Sequence, residues 1–205
     1  MKKFIAEFVG TFAIVFCGTG AIIINQVSGG IITYVGISIT FGLVVMAMIY
    51  IFPHAQFNPA VSIALAAFKM QDFFSASKHI AYQLLGALTA SLLLHFLFPE
   101  SETLGATLPS GSEIHSFILE IILMFLLMLS ALKSSEHHPQ LVGVVVGSEV
   151  LLEAMFAGPI SGASMNPARS IAPAIVSGNL NSLWIYIVAP IIGALAAVFV
   201  SKKSS

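Results

Sequence analysis

The chain is 205 residues long, 58% hydrophobic and 8% charged, with a formal net charge of −1 at pH 7. So little charge excludes a soluble domain of this size and indicates a polytopic membrane protein, which the helix-length stretches below make all-α. The few Lys residues are scattered, which argues against nucleic-acid binding, and the single Cys17 excludes an intrachain disulfide.

Apolar stretches of about 20 residues mark the crossing elements. The first, 4–25, follows Met1-Lys2-Lys3; it is too long for a signal-peptide core and no small-residue cleavage site leads into a polar domain, so it reads as a span. The second is 31–52, and after it a shorter stretch, 58–68, opens on Asn58-Pro59-Ala60. The third, fourth and fifth spans are 75–98, 114–132 and 140–160. A second short stretch, 166–176, opens on the same tripeptide, Asn166-Pro167-Ala168, and the sixth span is 183–200. As helices the short stretches are each about 16 Å long, roughly half the hydrocarbon core. Asn as a cap followed by Pro at the first helical position is a good helix start. Two half-helices that begin inside a membrane present unpaired N–H groups to a common interior, an arrangement that builds a pore.

Charge sets the orientation. Lys2, Lys3, Lys69, Lys78, Lys133, Lys202 and Lys203 all fall on one side if both termini are cytoplasmic, while the opposite loops carry Glu100, Glu102 and Glu113. A multi-pass protein of the inner or plasma membrane is expected. The remaining basic residue, Arg169, lies inside the second half-helix, where a cation is expensive and usually functional.

The halves match. Glu7 stands near the start of the first span and Glu120 near the start of the fourth; they precede Asn58 and Asn166 by 51 and 46 residues. Each half runs span, span, half-helix, span. Three spans are an odd number, so the second half enters from the opposite side. One channel domain, 1–205, with inverted repeats at about 1–98 and 113–203, is expected, its site near the midplane. Glu7 and Glu120 are either protonated, packed side chains or acceptors that brace the N–H groups of the re-entrant loops.

Six spans, two Asn-Pro-Ala half-helices, the repeated Glu and Arg169 together resemble the aquaporin (major intrinsic protein) family over essentially the whole chain. The run Gly158-Pro159-Ile160-Ser161-Gly162-Ala163-Ser164-Met165-Asn166-Pro167-Ala168-Arg169-Ser170 looks most like nodulin-type intrinsic proteins and their bacterial relatives. The resemblance implies a homotetramer with one pore per subunit, and an outer constriction at Phe41, Ala154, Ala163 and Arg169. Strict water channels of the family usually have His where Ala154 stands, so the resemblance implies a wider, more apolar ring that admits water, glycerol and metalloid hydroxides such as arsenous acid; otherwise Glu153, Met155 or Phe156 fills the space. Glycerol facilitators carry Asp after the Arg, where this chain has Ser170. Asn58 and Asn166 offer amide donors at the centre, and carbonyls of residues 161–165 and of those before Asn58 line the two halves as acceptors. The two positive helix ends and Arg169 then oppose protons and cations.

Two departures from the family pattern stand out. The approach to the first half-helix is Pro53-His54-Ala55-Gln56, about three residues short, so the second span must unwind early or the carbonyl ladder must be shortened. His54 or Tyr50 is then a possible gate at the cytoplasmic mouth. Met124 sits one turn after Glu120, where the family often has Thr. His137-His138 reads as a solvated loop, not a metal site, and His79, His95 and His115 as interface or span-end residues. Gly10, Gly86 and Gly193 read as sites of close helix packing. No nucleophile–base pair, phosphate loop, cofactor motif or metal site is apparent, which argues against an enzyme. The rival functions are a strict water channel, a coupled secondary transporter, and a non-conducting or gated tetramer with an occluded cytoplasmic mouth.

Overall fold

The computed structural model describes residues 2–203; Met1, Ser204 and Ser205, which the 1–205 domain reading includes, lie outside the described residues. Among the described residues eight α-helices run in the order α1 (Lys2–Val27), α2 (Thr33–Ile51), α3 (Pro59–Ala67), α4 (Phe73–Leu97), α5 (Glu113–His137), α6 (Val142–Ser161), α7 (Pro167–Ser177) and α8 (Leu183–Lys203). Among the described residues there is no strand, and the six long helices are each apolar and long enough to cross a membrane. The chain is a multi-pass membrane protein.

The half-helices α3 and α7 start as their sequences dictate. Asn58 and Asn166 are extended caps whose side chains accept from Ala60 N and Ala168 N at 2.9 and 3.0 Å, with Pro at the first helical position. Gly178 closes α7 in the left-handed conformation with φ 75°. α1 packs on α4 and α2, α2 on α6, α5 on α8 and α6, while α3 and α7 each wedge between α4 and α8.

These contacts are close because glycine lies at the crossings. A Cβ on Gly86 would strike Phe8 O of α1, and one on Gly193 would strike Ile121 O of α5. Gly42 and Gly147 face each other, each blocking a Cβ on its partner with its carbonyl oxygen at 2.6 and 2.7 Å. Gly10 serves differently from the expectation: it makes room for the Phe57 ring, not for a neighbouring helix. Because the obstacle at Gly193 is backbone, Gly193→Val is expected to cost more than the roughly 1–3 kcal/mol of ordinary overpacking. An unchanged melting temperature of the purified variant in detergent would refute this.

α5 is longer than the 114–132 stretch. Hydropathy ends at Lys133, but no helix breaker occurs before Pro139, so Lys133, Glu136 and His137 belong to the helix and not to the connecting loop. His138 N caps the end by donating to Ser134 O at 2.8 Å. α2 ends at Ile51, just before Phe52-Pro53, because Pro53 cannot continue the ladder and restricts the residue before it.

Candidate permeation path

The two loops that enter the half-helices meet at the centre of the bundle. Each is held by one buried glutamate. Glu7 on α1 accepts from Gln56 N and Phe57 N, both at 2.7 Å. Glu120 on α5 accepts from Ser164 N at 2.9 Å, Met165 N at 2.8 Å and Ser161 Oγ at 2.7 Å. Both carboxylates are fully buried. They answer the demand that non-helical backbone at this depth be satisfied by protein.

The loops also lock onto each other. Asn58 Nδ2 donates to Met165 O and Asn166 Nδ2 donates to Phe57 O, each at 2.8 Å. The carbonyls are turned towards their partners because Phe57 and Met165 hold left-handed φ values of 57° and 53°. Such conformations are uncommon for side-chain-bearing residues and persist where surrounding contacts over-determine them. The short approach loop is reinforced by Gln56. Its Oε1 accepts from Ser62 Oγ at 2.5 Å and its Nε2 donates to Gln71 Oε1 at 2.9 Å.

Two cavities run inward from opposite ends of the bundle. One, about 260 Å³, lies on the side away from the termini and is lined by residues such as Asn25, Tyr34, Thr107 and Gly162. The other, about 340 Å³, lies on the side of the termini and reaches Asn58, Asn166 and Met124 at the centre. Phe41, Ala154, Ala163 and Arg169 line both, so the cavities meet at these four residues. The Arg169 guanidinium carbon lies 5.1 Å from the Phe41 ring centroid, and Arg169 Nη1 donates to Gly105 O at 2.9 Å. Ser170 Oγ accepts from Thr107 Oγ1 at 2.7 Å and pairs with Ser164 Oγ at 2.5 Å. The segment between α4 and α5 therefore folds inward and fixes the arginine. The result is a ring with one fixed cation, one aromatic wall and two alanines.

The Major intrinsic protein family matches residues 1–201 of this chain. The chain belongs to that family. It is 43% identical to a probable aquaporin, NIP4-2, of Arabidopsis thaliana, over 97% of this chain and 73% of that one. It is 36% identical to nodulin-26 of Glycine max, over 98% and 76% of the two chains. Its fold matches the X-ray structure of the aquaglyceroporin from Plasmodium falciparum with a TM-score of 0.90 and 25% identity, over 98% of this chain and 95% of the other. It is an aquaporin-type channel; the family is one of channels, not enzymes.

Within this aquaporin fold, several sequence expectations need adjusting. The possible gate residues are not on the channel wall. Tyr50 donates from its hydroxyl to Gln140 O at 3.3 Å with its ring against Gly143, and His54 is exposed. Ile49, Pro53, Met70, Leu132 and Val142 line the mouth on the terminal side instead. Glu153 lines neither cavity, and Met155 and Phe156 are exposed on the outside of α6, so none of them fills the space beside Ala154. His79 is not a span-end residue. It is buried in α4 with Nδ1 2.8 Å from Glu7 Oε1, while Gln83, one turn on, donates to Glu7 Oε2 at 2.8 Å. The spacing of His79 and Gln83, four residues apart within an apolar span, was the available signal. The inward fold of Gly105 and Thr107 had a fainter one, the unusually apolar Thr103-Leu104-Gly105-Ala106-Thr107 inside a loop. Glu149 and Glu153, four residues apart in α6, are carboxylates within a span that the charge reading overlooked; Ser130 Oγ donates to Glu149 at 3.4 Å.

Proposed function

We propose that the channel passively conducts water and small uncharged solutes, glycerol and metalloid hydroxides such as arsenous acid among them, while excluding protons and ions. The observation that carries this reading is the junction of the two cavities at Phe41, Ala154, Ala163 and Arg169. Two methyl-sized side chains leave that junction wide, Arg169 presents a fixed positive charge to repel cations, and Phe41 gives carbon chains an apolar surface. Just beyond it, Asn58 and Asn166 stand beside the positive ends of α3 and α7. That the Plasmodium relative is an aquaglyceroporin, and that the Arabidopsis relative is a probable aquaporin, supports the same reading.

In this proposal residues 1–98 and 113–203 are inverted repeats of one channel domain, and Glu7 and Glu120 brace the equivalent loops. Both termini are cytoplasmic, in the plasma or inner membrane, and four subunits assemble with one pore each. An open mouth is favoured over an occluded one because a single cavity is lined at once by Met70, Asn58 and Arg169. A coupled transporter is disfavoured because the amides at the centre act as donors and not as cation ligands.

Stopped-flow swelling of proteoliposomes with water, glycerol, urea and arsenite tests the proposal. Water and glycerol rates above those of empty vesicles, with no dependence on an ion gradient, are expected. Rates equal to those of empty vesicles would favour the occluded tetramer, and water flux without any solute flux would favour the strict water channel.

A further inference from the structure

We propose that Met124 sets both the width and the hydrogen bonding at the centre of the channel: it narrows the path beside the two asparagines and holds one amide N–H of Asn58, so that Asn166 alone offers a free donor. The inference rests on the reading of the two cavities as the permeation path.

Glu120 fixes the register. Its carboxylate grips Ser164 and Met165, so that face of α5 is turned to the second loop. Met124 lies one turn further along the same face. Its side chain is fully buried from bulk solvent yet lines the terminal-side cavity together with Asn58, Met165 and Asn166. Its Sδ lies 3.8 Å from Asn58 Nδ2.

A side-chain amide nitrogen has two protons. At Asn58 one goes to Met165 O at 2.8 Å, which leaves the other for the Met124 sulfur 3.8 Å from the nitrogen. At Asn166 one goes to Phe57 O at 2.8 Å, and among the described residues the second has no protein acceptor. The two asparagines, alike in cap and cross-brace, therefore differ in what they present to a solute. The difference traces to one position. Thr11 stands one turn after Glu7 as Met124 stands one turn after Glu120, but Thr11 lines neither cavity.

The chemistry of the thioether decides the consequence. Sulfur is a weak acceptor, so it holds the N–H without offering water an equivalent site. Its flexible, unbranched chain fills the space opposite the loops while remaining able to yield. Water, which needs one donor and little room, is affected through the lost donor. Glycerol, with three carbons, is affected through the width.

Two variants separate these effects. Met124→Leu keeps the volume and removes the sulfur; freeing a donor, at the low end of what a net hydrogen bond is worth, is expected to raise water flux about 2-fold and glycerol flux by less. Met124→Ala removes the bulk and is expected to raise glycerol flux several-fold. Both are measured by stopped-flow swelling beside wild type and empty vesicles, normalised to reconstituted protein. Wild-type water flux in Met124→Leu, or wild-type glycerol flux in Met124→Ala, overturns this assignment while the channel reading stands. Wild-type vesicles that swell no faster than empty ones overturn the channel reading and this assignment together.

Discussion

Glu120→Ala is expected to yield a chain that melts far below wild type or fails to purify as a folded species. The reason is the number of donors left behind. Ser161 Oγ, Ser164 N and Met165 N all end on this one carboxylate, at 2.7 to 2.9 Å, at a fully buried site. A buried donor deprived of its acceptor costs about 1–3 kcal/mol, so three together cost on the order of several kcal/mol. That is a large share of the roughly 5–15 kcal/mol by which folded domains are commonly stable. Besides this grip, the left-handed Met165 is held through its carbonyl, which accepts from Asn58. Glu120→Gln retains one acceptor oxygen and is expected to fall between the two. Melting temperatures of the three proteins in detergent check the order. A Glu120→Ala protein that melts with wild type would show that the loop is held by other contacts, such as the Tyr186 hydroxyl on Ser161 O at 2.6 Å.

The sequence made the local elements readable and left the long-range closures hidden. Asn58-Pro59 and Asn166-Pro167 are self-contained signals: the cap, its side-chain acceptor and the proline lie within three residues, so the half-helices start where the tripeptides stand. The six crossing helices were equally legible because membrane burial demands a run of apolar residues whatever the partners are. Glu7 and Glu120 stood out because a carboxylate in such a run needs a partner, but which groups would meet them depends on loop closure. The spacing of His79 and Gln83 marks one face of α4, but that this face meets Glu7 is set by the packing of α4 on α1 and not by the spacing. Nor could the Gly105 carbonyl that receives Arg169, since a glycine carbonyl has no side-chain signature. The gate reading failed for a related reason. Tyr50 and His54 are near Asn58 along the chain, but Tyr50 turns its ring to Gly143 and His54 is exposed, and the wall is lined instead by their neighbours Ile49 and Pro53 together with residues of α3, α5 and α6 and the loop after α3.

Ala154→His is expected to separate glycerol from water more sharply than any other single change in the ring. Ala154 lies where the two cavities meet, in one ring with Phe41, Ala163 and Arg169. Phe41 and Arg169 are held against each other, and Arg169 is tied to Gly105 O at 2.9 Å, so the opposite wall does not yield to an added imidazole. The lost space falls on the solute. Water is small enough to pass in single file and gains a polar neighbour in exchange, whereas glycerol must shed more of its hydration and press against the ring. A difference of about 1.4 kcal/mol in barrier is tenfold in rate, and a fall in glycerol flux of about that size is expected while water flux changes by less than about 2-fold. Swelling of proteoliposomes in matched water and glycerol gradients measures both. If the two rates fall together, Ala154 lies away from the narrowest point, and the distinction between water and polyols must be set deeper, beside Met124 and the paired asparagines.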